Sequence, residues 1–125
     1  MKKTGLLNAE LSALVARSGQ GDIFVVANAG LLIPPSVNCI DLSVYPGLPG
    51  FFPVLDAILT ELHIEASCIA DEVNGALEDA FAQRLSPDRM SHKRLKENLK
   101  NARAIIRTGD MTPFANVMLT SGVTY

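Results

Sequence analysis

Three short, almost unbroken apolar runs, Asp22–Asn28, Val37–Leu42 and Ile64–Ala70, constrain this chain more than any other feature. Each is too short for a typical globular helix and lacks the alternation of a half-solvated strand, so each reads as a strand buried on both faces of a sheet. Between them the apolar residues change period. Asn8 is a suitable N-cap for a helix through Ser18, with Leu11, Leu14 and Val15 on one face and Gly19 placed to end it. Phe51–His63 carries a helical stripe of Leu55, Ile58, Leu59 and Leu62, with Pro53 tolerable only in the first turn. Asp71–Leu85 reads as a weaker helix interrupted by Asn74-Gly75, and Ser91 can cap a basic helix through Ala102. Ala104–Thr108 and Ala115–Thr120 supply two final strands. Pro34-Pro35, Tyr45–Gly50 and Ser86-Pro87-Asp88 are the breakers that separate these segments. Strands alternating with helices predict a three-layer α/β/α fold with a largely parallel central sheet, and 125 residues predict a single domain, 1–125.

Composition excludes several classes. With 48% apolar and 19% charged residues and a net charge of −2, the chain is neither disordered nor low in complexity. No stretch approaches the roughly 20 apolar residues that span a bilayer. The basic N-terminus meets Asn8 and Glu10 before a signal-like apolar run develops, so a cytoplasmic protein with no membrane partner is expected. Cys39 and Cys68 each lie inside an apolar run, which suits reduced, buried thiols rather than a disulfide or a metal site. Five Phe, two Tyr and no Trp leave the core to Leu, Val, Ile and Ala. So much apolar surface on so short a chain implies that other copies cover part of it.

Charge is unevenly ordered. Arg89, Lys93, Arg94, Lys96, Lys100, Arg103 and Arg107 crowd one segment, whereas no Lys or Arg lies between Arg17 and Arg84. Such a helix can bind nucleic acid, but no aromatic residues interleave with its charges, so a solvated face is the expectation and nucleic acid is not an expected partner. An acidic middle and a basic C-terminal third also favour pairing between subunits.

In folds of this class ligands gather at the carboxyl ends of strands. The loops in question are Asn28–Leu31, Asp71-Glu72 and Thr108–Asn116, which offer amides, carboxylates, small residues and one aromatic ring. That set suits a neutral polyhydroxylated ligand. No dinucleotide fingerprint or P-loop is present. Of two histidines, His63 closes an apolar helix and reads as a partly exposed structural residue. His92 begins the basic helix, where the positive helix end favours a neutral imidazole able to take a proton; a plain surface histidine fits the spacing equally well. Asp71-Glu72 reads either as an acid/base pair or as first-turn helix carboxylates. No spacing suggests a metal.

Read in order, these loops resemble the D-ribose pyranase and fucose mutarotase family, most closely its ribose branch. The resemblance rests on Lys3–Asn8, Gly19–Asp22, Asn28–Leu31 with Ile33-Pro34, Ile40–Leu42, and Gly47–Pro49 leading to Phe52 and Val54-Leu55. It continues through Ser91-His92, Ile106–Asp110, Thr112–Asn116 and the ending Gly122–Tyr125. The resemblance implies a cofactor-free sugar mutarotase acting on a free, ribose-like monosaccharide, assembled as a ring-like homo-oligomer, often a decamer, with sites between subunits. It implies that position 20 is the acid, a histidine in the family and Gln20 here, supported by an aspartate where this chain has Asn28. It further implies sugar contacts from His92, Phe114, Ala115 and Asn116, with Phe114 replacing a tyrosine.

Gln20 and Asn28 keep hydrogen-bonding capacity but cannot titrate near neutrality. Two expectations follow: a mutarotase in which His92 substitutes as acid, or a catalytically silent sugar-binding or regulatory homologue. Leu32 stands where proline is common in the family. The segment before Ser91 is short, which implies that a family strand is missing there.

Overall fold

The computed structural model describes residues 1–125. Helix α1 (Ala9–Arg17) starts where the Asn8 side chain accepts the Leu11 backbone N–H at 3.0 Å, and it buries Leu11. There follow β1 (Ile23–Ala27), β2 (Asn38–Asp41), α2 (Phe51–Leu59), β3 (Ile64–Ala70), α3 (Gly75–Ala82), β4 (Asp88–Met90) and α4 (His92–Asn98). Helix α4 tightens into a 3₁₀ turn, Leu99–Asn101, and β5 (Ala104–Arg107) and β6 (Val117–Ser121) complete the chain.

The strands form one six-stranded sheet in the order β2-β5-β1-β6-β3-β4. Pairs β2/β5, β5/β1 and β3/β4 are parallel, whereas β6 runs antiparallel to both its neighbours, β1 and β3. The expected largely parallel sheet is thus present with one reversed strand. The reason is the β5–β6 connection, which holds no crossover helix and so returns the chain in the opposite sense.

Alternate residues of β1 face two different layers. Phe24 and Val26 join Leu11, Leu55 and Phe81 from α1, α2 and α3, whereas Val25 and Ala27 join Leu95 and Leu99 from α4 and its 3₁₀ extension. The strand is buried on both sides, as its unbroken apolar run requires. Fully burying side chains such as Leu55 and Ile105 stabilises the fold by roughly 1.5–3 kcal/mol each.

Several boundaries differ from the sequence expectation. Helix α2 stops at Leu59 because the chain must bring the His63 carbonyl to the Gly122 N–H and enter β3. The segment Asp71–Asn74 is a turn, not helix: the Asp71 N–H is held by the Met90 carbonyl, and α3 begins only at Gly75, whose φ of 58° suits glycine. The strand expected to be missing before Ser91 is present, with Asp88–Met90 pairing with Cys68–Ala70 across a segment read as a breaker. The basic helix is only seven residues long before its 3₁₀ turn. Both cysteines are free and half-buried rather than fully buried, and burial pushes both thiols up.

Charge pairing occurs within one chain. Arg84–Asp56, Arg89–Glu78, Arg103–Asp22 and Arg107–Asp41 are ion pairs that join acidic and basic residues of the same chain. Large apolar side chains do remain outside: Leu7, Leu32, Val44, Tyr45, Leu48 and Met111 are exposed. No helix is long and apolar enough to cross a membrane.

Candidate functional site

Parallel β1 and β5 deliver their carboxyl ends to one edge of the sheet, and reversed β6 begins there, so Asn28, Thr108 and Asn116 meet. Their backbones are tied closely. The Thr108 hydroxyl donates to the Ala27 carbonyl at 2.8 Å, the Asn28 N–H donates to Oδ1 of buried Asn116 at 2.9 Å, and the Ala29 N–H donates to the Asp110 carbonyl at 2.8 Å. The Asn28 side chain spans the two loops: Nδ2 donates to the Thr112 carbonyl at 3.0 Å and Oδ1 accepts the Gly30 N–H at 3.3 Å. A carboxylate at position 28 could not make the first of these bonds, so the amide is structurally used.

Asp110 fixes the longer loop from below. Its carboxylate accepts the N–H groups of Phe51 and Thr112, at 2.9 and 2.8 Å, anchoring the loop to the start of α2. Burial pushes its carboxyl up, but these hydrogen bonds outweigh burial and hold it below the usual carboxylate range. Gly109 sits so close to the 45–50 turn that an added Cβ would lie 2.2 Å from the Leu48 carbonyl oxygen.

Phe114 has a left-handed backbone, φ 64°, unusual for a residue with a Cβ. Two turn hydrogen bonds hold it there, Ala115 N–H to the Thr112 carbonyl at 3.3 Å and Asn116 N–H to the Phe114 carbonyl at 2.8 Å. The conformation places its ring edge-to-face with His92, centroids 5.2 Å apart at 82°. His92 is positioned by the start of α4, where the Ser91 hydroxyl accepts the Arg94 N–H and the Glu72 carboxylate accepts the His92 N–H at 3.0 Å. The Asp71-Glu72 pair is therefore neither a free acid/base pair nor the first turn of α3; Glu72 caps α4. His92 Nδ1 is enclosed without a partner, which leaves Nε2 as the ring nitrogen that can meet a ligand.

Asn28, Leu32, His92, Lys96, Phe114 and Asn116 line a cleft of about 340 Å³, a size suited to a small molecule. Lys96, which the sequence marks only as one charge of the basic helix, lies one helical turn after His92 and so faces the same way. Ala115 is buried behind the cleft, and its N–H is already used by Thr112, so only its carbonyl remains for a ligand. Gln20 is not brought to this cleft. It lies in the turn before β1, at the opposite end of the strand from Asn28, and its Nε2 donates to Glu65 Oε2 at 3.4 Å. The five residues of β1 alone separate the two by roughly 16 Å. His63 is exposed at that same far end. No group of three or more His, Cys, Asp or Glu is arranged to hold a metal.

Comparisons with known proteins bear on the chain as a whole. Residues 1–124 match the model of the RbsD / FucU transport protein family. The chain is 45% identical over 130 residues to a D-ribose pyranase of Paracidovorax citrulli, and 44% identical over 131 residues to one of Symbiobacterium thermophilum, with both partners of each match covered completely. Among solved structures, Bacillus subtilis RbsD complexed with D-ribose superposes with a TM-score of 0.90 at 38% identity, covering all of both chains. A fucose mutarotase from Streptococcus pneumoniae, in complex with L-fucose, shares the fold, with a TM-score of 0.78 at 21% identity over 95% of each chain. With residues 1–124 matched by the family model and the backbone matched over its whole length, this chain belongs to the RbsD / FucU family.

Proposed function

We propose that this protein is a sugar mutarotase of the D-ribose pyranase type, interconverting pyranose and furanose or anomeric forms of a free, ribose-like monosaccharide. The observation that carries this reading is the cleft in which His92 Nε2, the Phe114 ring and the amides of Asn28 and Asn116 converge. Amides donate to and accept from hydroxyls, a ring packs on sugar C–H groups, and an imidazole moves protons. Mutarotation needs nothing more than proton transfer. As the anomeric hydroxyl loses its proton, the ring oxygen gains one and the C1–O bond opens; a different hydroxyl then adds to C1. His92 is the group of the cleft that donates the proton to the ring oxygen, and the reaction uses no cofactor.

The cleft is open on one side, and in this reading a second copy closes it. A ring-like homo-oligomer, a decamer, would bring the Gln20 end of one subunit against the His92 cleft of the next, and the exposed apolar side chains would lie in the contacts. The protein would work in the cytoplasm. A silent sugar-binding homologue is the competing reading, because Gln20 and Asn28 cannot exchange protons. NMR magnetisation transfer between pyranose and furanose ribose, with and without protein, separates the two. Faster exchange with the native chain is expected. No acceleration by the native chain, with exchange gained by the double reversion Gln20→His, Asn28→Asp, would leave only the silent reading.

A further inference from the structure

The far end of the sheet holds a titratable cluster that the cleft does not use. Gln20, His63 and Glu65 meet there around the end of β6, and a Cβ on Gly122 would approach both the His63 ring and the Glu65 side chain at 2.9 Å. Most carboxylates near the site and its supporting loops are structurally committed. Glu61 holds the Leu6 N–H, Glu72 caps α4 and Asp110 anchors its loop. Glu65 has no such role. It is exposed, forms no salt bridge, and its one side-chain partner is the Gln20 amide at a long 3.4 Å. It also borders an open cavity of about 580 Å³.

We propose that Glu65 is the general base of this protein, carried on the Gln20 end of one subunit and acting in the His92 cleft of the next. The proposal rests on the mutarotase reading above and on the inter-subunit site proposed with it. Gln20 holds the carboxylate by its amide and leaves its remaining lone pairs free. In the ring-opening step Glu65 takes the proton of the anomeric hydroxyl as C1=O forms. The C1–O5 bond breaks, its electron pair goes to O5, and O5 takes a proton from His92 Nε2. On closure another hydroxyl adds to C1 and returns its proton to His92, while protonated Glu65 returns its proton to O1. No proton or electron is gained or lost overall. A group with lone pairs and a titratable proton thus stands beside a residue that has lost that capacity.

The titratable and charged groups on the elements near Glu65 are few. His63 lies just before its strand. Arg84, in the turn after α3, borders the same cavity but is tied to Asp56; Asp22, in the Gln20 turn, is tied to Arg103; the packed end of β6 carries no charge. Glu65→Gln should lower ribose exchange at saturating sugar by roughly 10²–10⁴-fold with little change in KM. The acid limb of the pH–rate profile should vanish in that variant, Glu65→Asp should retain part of the rate, and His63→Gln should match the native protein. Oligomers mixed equally from Glu65→Gln and His92→Ala chains should regain exchange, since about a quarter of their sites combine one intact group from each chain. Full activity in Glu65→Gln overturns the proposal. So does a loss in Glu65→Gln that mixed oligomers fail to restore. An inactive native chain would instead remove the mutarotase reading itself, a separate result.

Discussion

The two ends of strand β1 are built differently. At its carboxyl end the side chains of Asn28, Asp110 and Asn116 each hydrogen-bond loop backbone, and Phe114 is held in a strained turn. At its amino end Gln20, His63 and Glu65 are exposed, with one long hydrogen bond among them. One end is preorganised by its own fold. The other leaves its groups unordered by the chain's own fold, which is the division expected if, as proposed, the site is shared between copies.

Removing chemistry from the organised end gives the largest expected effect. His92→Ala should reduce sugar exchange by about 10²–10⁴-fold. Its melting temperature should stay close to native, since the ring packs edge-on against Phe114 and its Nδ1 has no partner to lose. Unchanged exchange would remove His92 from the mechanism.

Steric tests compare the ends directly. At Gly109 a Cβ would meet backbone at 2.2 Å, whereas at Gly122 the nearest atoms are side-chain carbons at 2.9 Å. Gly109→Ala should destabilise by about 1–3 kcal/mol or prevent folding. Gly122→Ala should cost less and act on exchange by displacing Glu65. Chemical denaturation of both variants checks the order, and equal costs would show the ends to be equally rigid.

Truncating the amides sharpens the contrast. Asn116→Ala leaves the part-buried Asn28 N–H without its acceptor and should cost about 1–3 kcal/mol. Gln20→Ala should change stability by less than about 0.5 kcal/mol. The smallest effect is that of acid. Asp110 titrates lower in the folded chain than in the unfolded one, so its ionised form stabilises the fold above the ordinary carboxylate range. That contribution is lost as pH falls through the lowered value. Asp110→Asn should flatten the acid slope of stability, measured by denaturation between neutral and strongly acid pH.

Much of this was legible in the sequence because the signals are local. Apolar runs marked β1, β2 and β3, the Asn8 and Ser91 caps marked two helix starts, and the rule that ligands gather at strand ends selected the loops that form the cleft. Strand β4 escaped because its three residues show no apolar pattern and exist as a strand only through pairing with β3. The reversal of β6 depends on what the β5–β6 connection lacks. Glu65 sits in a run that reads as an apolar strand, although a charge at the start of such a run marks it as solvent-facing. The separation of Gln20 from Asn28 was available too, since a strand lies between them.

Phe114 places two kinds of selection in opposition. A left-handed residue with a Cβ costs the backbone about 1–2 kcal/mol relative to one that tolerates the conformation. A library screened only for heat resistance should therefore replace Phe114 with glycine or asparagine. Each winner would be a sturdier protein with no ring beside His92, and thermal screening alone would rank it above the native sequence, whose ring the proposed sugar site needs.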